Sequence, residues 1–241
     1  MFFNARSWRK IKKEQNHSSI MATSTYGSLA AEAAAFLENS ANAVGGFNGI
    51  QPEIRRQGAY LVRWAEGRGL LKIDPCVGLE KYRRDTTEHF VYFGSANNRV
   101  IKCTKPGRFG WGHGVNARHC AATPLFYLQR LDLMNEVFGS DLRLEGIALG
   151  LSEYEPQAGL MPYIVTSQRY IEIADANKPH PSEEEIQHFM ESMHFQLMTD
   201  CYYNWFRDSD GITIIVTDTR ILNFIISHAG IVPIDLVVSR K

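Results

Sequence analysis

Charge of one sign is what this chain of 241 residues lacks most plainly: 26 basic side chains are balanced by 26 acidic ones. No global field therefore marks nucleic acid or an anionic lipid surface as an obligatory partner. Cysteine is scarce too. Cys76, Cys103, Cys120 and Cys201 are scattered and form no C-x-x-C pair, which argues against a disulfide framework or a zinc site and for reduced thiols in a cytoplasmic protein. No apolar run approaches the roughly 20 residues that span a bilayer, so no membrane partner is expected. The leader carrying Arg6, Arg9, Lys10, Lys12 and Lys13 has no apolar segment behind it, so a secretory signal is not expected, and Met21 offers an alternative start. No internal repeat is visible.

What is present is a hydrophobic content of 44%, sufficient for a full core in one domain. Residues 1–48 read as a partly flexible arm containing an Ala-rich helix over Leu29–Leu37, and residues 49–241 as the main domain. Pro52 suits the first turn of a helix that Gly67 and Gly69 end. His89–Phe93 and Arg99–Thr104 flank turn chemistry and read as a hairpin. Then comes a loop with Gly107, Gly110, Gly112 and Gly114, read as a flap over residues 106–119 and followed by a helix to Phe138 that Gly139 stops. Leu142–Leu151 and Tyr163–Thr166 read as strands. Ser182 and Glu185 form a capping box for a helix running to Leu197. Tyr202–Phe206 and Ile212–Thr217 read as a last hairpin before the C-terminal segment. Strands with one inserted helix, then a helix, then strands make an α+β chain.

The chemistry concentrates at four positions. Lys102 stands mid-strand in Arg-Val-Ile-Lys-Cys, on the face of Val100, where an ammonium calls for an anion. Near the C-terminus, Asp218-x4-Asn223 separates two β-branched strands, and Asp235 ends the apolar run Ile231-Val232-Pro233-Ile234. A carboxylate ending a buried strand needs a partner or a metal. Phosphoryl transfer from Mg-ATP uses a carboxylate near the attacking hydroxyl and oxygen ligands for Mg²⁺, and a loop followed by a hairpin can bring Asp218, Asn223 and Asp235 to one point. The glycines after Lys102 do not open a helix after a strand, so they match neither a Rossmann nor a P-loop context. His113, His119 and Cys120 lack a second pair at zinc spacing.

The order of these segments resembles the kinase-like domain of phage and mobile-element polyvalent proteins, a compact, divergent branch of the protein-kinase fold. The matching stretches are Trp64-Ala65, Thr87–Tyr92, Val100–Gly107, Asn135–Gly139, Thr166–Gln168, Asp218–Asn223 and Val232–Leu236. The resemblance implies two lobes, the first strand-rich and the second reduced. It implies Lys102 on ATP phosphates, paired with a helix acid (Glu136 first, Asp132 second), and Asp218 as base or hydroxyl-positioner. Asn223 and Asp235 would hold Mg²⁺, and Thr166–Tyr170, with Gln168, Arg169 and Tyr170, would form a hinge beside adenine. The implied activity is ATP-dependent phosphotransfer to a protein or small-molecule acceptor. The alternative is a pseudokinase, a nucleotide-binding interaction module.

Overall fold

The computed structural model describes residues 29–40, 50–77, 79–83, 86–94, 98–113, 119–198 and 203–241. The basic leader, Gly114, Arg118, Cys201 and Tyr202 lie outside the described residues, as do the side chains of His113 and His119.

Four helices occur among the described residues: α1 (29–40), α2 (Ile50–Arg68), α3 (Pro124–Phe138) and α4 (Glu183–Ser192). The fold is α+β. The starts of α3 and α4 follow directly from their sequence. The Thr123 side chain accepts from the Phe126 amide at 3.2 Å, and Pro124 fills the first turn, where its missing N–H costs nothing. Ser182 and Glu185 close a reciprocal box, the Glu185 amide donating to Ser182 Oγ at 3.2 Å and the Ser182 amide to Glu185 Oε2 at 2.8 Å. Gly139 ends α3 in a left-handed conformation at φ 65°, its amide donating to the Asn135 carbonyl. The last helix is shorter than its apolar spacing suggests. It stops at Ser192, His194 turns left-handed at φ 65°, and residues 196–197 pair as a strand instead.

The strands in chain order are β1 (Leu71–Lys72), β2 (Glu80–Arg83), β3 (His89–Gly94), β4 (Arg99–Thr104), β5 (Trp111–His113), β6 (His119–Ala121), β7 (Arg143–Leu151), β8 (Leu160–Arg169), β9 (Gln196–Leu197), β10 (Trp205–Ser209), β11 (Ile212–Thr217), β12 (Phe224–Ser227), β13 (Gly230–Pro233) and β14 (Val237–Arg240). Six of them form one sheet in the order β1-β7-β8-β4-β3-β2, and β14-β11-β10-β9 form a second. Two hairpins, β5–β6 and β12–β13, stand apart from these sheets. The glycine-punctuated flap is thus a hairpin over part of its length. The strand expected over Tyr163–Thr166 runs from Leu160 to Arg169, so most of the expected hinge is regular strand.

Alternation along β4 decides what each face carries. Lys102 lies opposite Val91 on β3 and Thr166 on β8, while Cys103 lies opposite Phe90 and Val165. The Lys102 face is covered by α3. Tyr127, Leu128, Leu131 and Met134 of that helix join Ile54, Leu61 and Trp64 of α2, Ile147 and Ile164 of the sheet, and Val216, Phe224 and Leu236 in one continuous core. Ala30, Ala33 and Leu37 of α1 are buried in the same core, so the segment expected as an arm contributes packing from its helix. Trp64 Nε1 also donates to Glu32 Oε1 at 3.2 Å. Among the described residues no helix is long and apolar enough to cross a membrane.

Candidate functional site

The site forms where the six-stranded sheet, α3 and the C-terminal segment meet. Lys102 crosses from β4 to the turn after β13, its Nζ donating to the Ile234 carbonyl at 2.7 Å across 132 positions of sequence. Asp235 follows in that turn. Its Oδ1 accepts from Arg130 Nη2 at 2.8 Å, and Arg130 Nε donates to the Leu236 carbonyl at 2.7 Å. The remaining arm of the guanidinium, Nη1, reaches Glu88 Oε2 at 3.2 Å. Arg130 is 5% exposed and binds two carboxylates and a carbonyl from one planar fork, which suits Arg and which the point charge of Lys cannot match.

Glu88 couples this cluster to the flap hairpin. Its Oε1 accepts from the Trp111 amide at 3.1 Å. Gly110 lies so close that a Cβ there would stand 2.7 Å from Glu88 Oε2, and its φ of 78° is itself a glycine conformation. At least one glycine of the flap therefore serves close approach to a carboxylate. On the other side, His89 Nε2 and the Tyr127 hydroxyl share a hydrogen bond of 2.9 Å.

Burial and charge pull against each other throughout. For Asp235, burial raises the carboxyl pKa, but Lys102 and Arg130 outweigh it and hold the group ionised with a pKa of about 2. Lys102 is lowered by burial, with Asp235 acting in the opposite sense and winning back only part of it. Burial lowers His89 to about 3, so its imidazole is neutral. Glu88 is raised by burial against the attraction of Arg130. Burial works to lower Arg130, but the charges of Glu88 and Asp235 raise it on balance. A cluster of two cations and two carboxylates is close to neutral as a whole, which is the condition for burying it.

The loop from Asp218 to Asn223 joins the same place by backbone. Asn223 Nδ2 donates to the Asp218 carbonyl at 2.7 Å, closing the loop over a 3-10 turn at Ile221–Asn223, and the Ile234 amide donates to the Asn223 carbonyl at 2.9 Å. Ile234 is thus bonded to Asn223 through its amide and to Lys102 through its carbonyl. Asp218 sits at φ 60° and accepts from Arg220 Nε through Oδ1. That left-handed residue between β11 and the 3-10 turn is a conformation Asp tolerates better than most.

Lys102, Asn223, Asp235 and the Asp218 loop therefore converge. Glu136 does not join them: it faces outward from α3 and binds Arg240 at 2.8 Å. The position that sequence reasoning gave to a helix acid is filled by an arginine reaching the turn after β13. Asp132 is half-buried on α3, and burial, with Glu136 adding to it, pushes its carboxyl up to about 7. Gln168 pairs with Val100 in the sheet and is buried, Arg169 is the exposed end of β8, and the Tyr170 amide donates to the Asn98 carbonyl while its ring meets Phe93 edge-on at 5.2 Å. Arg130 did carry a sequence signal, since helical spacing places it with Tyr127, Leu131 and Met134 on an apolar face. Glu88 carried none, because its partners come from residues far along the chain.

A small cavity of about 20 Å³ lies among His89, Lys102, Tyr127, Arg130, Thr166 and Asp235, enough for about one water. Ligand atoms of Glu88, His89 and Asp235 lie within 4.8 Å of one another, a spacing a metal ion can bridge, although the Arg130 guanidinium is already bonded to both carboxylates. No family model, no curated protein and no solved structure matches the chain.

Proposed function

We propose that the chain is an ATP-dependent phosphotransferase with a compact, divergent protein-kinase-like fold of two lobes, the second reduced. The observation that carries the reading is the convergence of Lys102, Asp235 and the Asp218–Asn223 loop on the Ile234–Asp235 turn. The order of elements supports it. A meander of β2, β3 and β4, helix α3, and the β7–β8 hairpin build the sheet that presents Lys102. The loop after β11 and the β12–β13 hairpin present the acidic groups, and β14 returns to pair with β11.

The donor set fits Mg-ATP in its chemistry. Asp235 is ionised and keeps 35% of its side-chain surface exposed. Asn223 uses its amide nitrogen on Asp218, which leaves the amide oxygen as a ligand. These two would hold the metal, a hard cation that prefers oxygen. Bound Mg²⁺ would neutralise charge on the transferring phosphoryl group. Lys102 exchanges the Ile234 carbonyl for phosphate oxygens, a stronger acceptor for a cation that burial already disfavours. Asp218 orients the acceptor hydroxyl and takes its proton, with Arg220 holding the carboxylate in place. A nucleotide needs a pocket of several hundred Å³ and the cavity is about 20 Å³, so the reading requires that the cleft open on binding.

A second reading rests on Arg130. Its guanidinium neutralises the carboxylate on which the metal depends, an arrangement that suits a pseudokinase acting as a nucleotide-binding interaction module. Thermal stabilisation by ATP with and without Mg²⁺, followed by transfer of labelled γ-phosphate to casein, myelin basic protein or the chain itself, separates the readings. Magnesium-dependent stabilisation with transfer supports the phosphotransferase. Stabilisation without transfer supports the module, and no stabilisation by any nucleotide overturns both.

A further inference from the structure

The sheet face turned away from Lys102 brings together two cysteines that the sequence scatters. Cys103 is 1% exposed, in a small cluster with Ala148 and Val165 that Phe90, Tyr92, Ile101 and Tyr163 border. Cys76 lies in the turn after β1, between the exposed Ile73 and Val77. Their sulfur atoms are 3.4 Å apart across 27 positions of sequence.

We propose that Cys76 and Cys103 form a reactive dithiol, a modification site that closes to a disulfide when a hydroperoxide reaches Cys76. The site does not depend on the phosphotransferase reading. The two sulfurs divide the roles. Cys76 is half-buried and reachable from solvent, whereas Cys103 is enclosed. The hydrogen bond between them lowers the Cys76 thiol and, together with burial, raises that of Cys103. Cys76 therefore supplies the attacking thiolate and Cys103 remains the protonated, resolving thiol.

Attack by the Cys76 sulfur on one oxygen of hydrogen peroxide breaks the O–O bond. The departing hydroxide takes up the proton that Cys76 released on ionising and leaves as water, and Cys76 becomes a sulfenic acid. The Cys103 sulfur then attacks that sulfur. The S–O bond breaks, and the hydroxyl leaves with the Cys103 proton as a second water. Two thiols lose two electrons, and one peroxide is reduced to two waters. Closing from 3.4 Å to a bond of about 2.05 Å requires movement mainly of the Cys76 turn, because Cys103 is fixed on both sides by β3 and β8. The product ties that turn to the strand that carries Lys102 on its other face.

The test treats the folded full chain with hydrogen peroxide, then counts thiols after unfolding and maps crosslinked peptides. The expected result is a fall from four thiols to two, a single peptide pair joining Cys76 to Cys103, and reversal by dithiothreitol. A Cys120→Ser, Cys201→Ser double variant should fall from two thiols to none and form no disulfide-linked dimer. Cys76→Ser should form no intramolecular crosslink. The proposal is overturned if all four thiols survive, if the crosslinks run through Cys120 or Cys201, or if Cys76 is trapped as sulfenic acid while Cys103 still alkylates.

Discussion

Asp235 and Asp218 bear the same side chain and are held in opposite ways. Asp235 bonds to Arg130, 105 positions away, and its neighbour Ile234 bonds to Lys102, 132 positions away. Asp218 is closed by Arg220 and Asn223, within five residues of itself. One carboxylate is placed by the packing of sheet against helix, the other by a turn. A group fixed from afar is part of what holds the fold together, whereas a group fixed by its own loop can change with little cost to the rest.

Arg130 is the point at which the carboxylate held from afar is most vulnerable. Arg130→Ala leaves the largely buried Glu88 without its cation and Asp235 with Lys102 alone, and urea denaturation should show a loss of about 3–5 kcal/mol. Arg130→Lys keeps the charge without the fork and should recover only part of that. A loss below about 1 kcal/mol for Arg130→Ala would mean that the cluster is not structural. Next comes Asp235→Asn, which keeps the shape but removes the charge. It should abolish the magnesium-dependent part of the ATP shift and lower the midpoint through the unmatched Lys102 and Arg130. An unchanged Mg²⁺ dependence would remove Asp235 as a ligand.

Asp218→Ala should do the reverse. Its ion pair with a largely exposed Arg220 contributes at most about 1 kcal/mol, so the midpoint stays near that of the parent and nucleotide binding persists while phosphotransfer is lost. Equal loss of nucleotide binding in the Asp218 and Asp235 variants would show the two roles to be wrongly divided.

The last effect is a titration. The Asp132 carboxyl rises from 3.8 in the open chain to about 7 in the fold. Its contribution is fully present below pH 3.8 and is lost as pH rises through 7, because the unfolded chain releases that proton first. Stability measured from pH 4 to 7 should therefore fall less steeply in Asp132→Asn than in the parent. Parallel profiles would place Asp132 in ordinary solvent.

Local chemistry was legible. The capping box at Ser182, the stop at Gly139, the hairpins around Gly211 and Gly230, and the placement of Lys102 on the face of Val100 all follow from residues within a turn or two of one another. The end of α4 was not. Its apolar spacing continues through Met193 and Leu197, but His194 turns left-handed and Leu197 pairs with Trp205 from another strand, so tertiary pairing outweighs the periodic signal. The helix acid was misplaced for a related reason. Glu136 has the expected residue type on the expected helix, yet the helix rolls Arg130 toward the site and Glu136 toward Arg240.

An α+β chain, the capping box that opens α4, and a lysine, two aspartates and an asparagine as candidates for one site can be read from the residues alone. These rest on alternation, capping and turn geometry, which act over a few residues. That Arg130 and Glu88 complete the charge cluster at Asp235, and that Cys76 meets Cys103 behind it, depends on the packing of distant segments. Those contacts arise from the order of strands in the sheet and the docking of α3 on one face. Both are set by burial of the whole core, and no local pattern encodes which distant side chains burial will bring together.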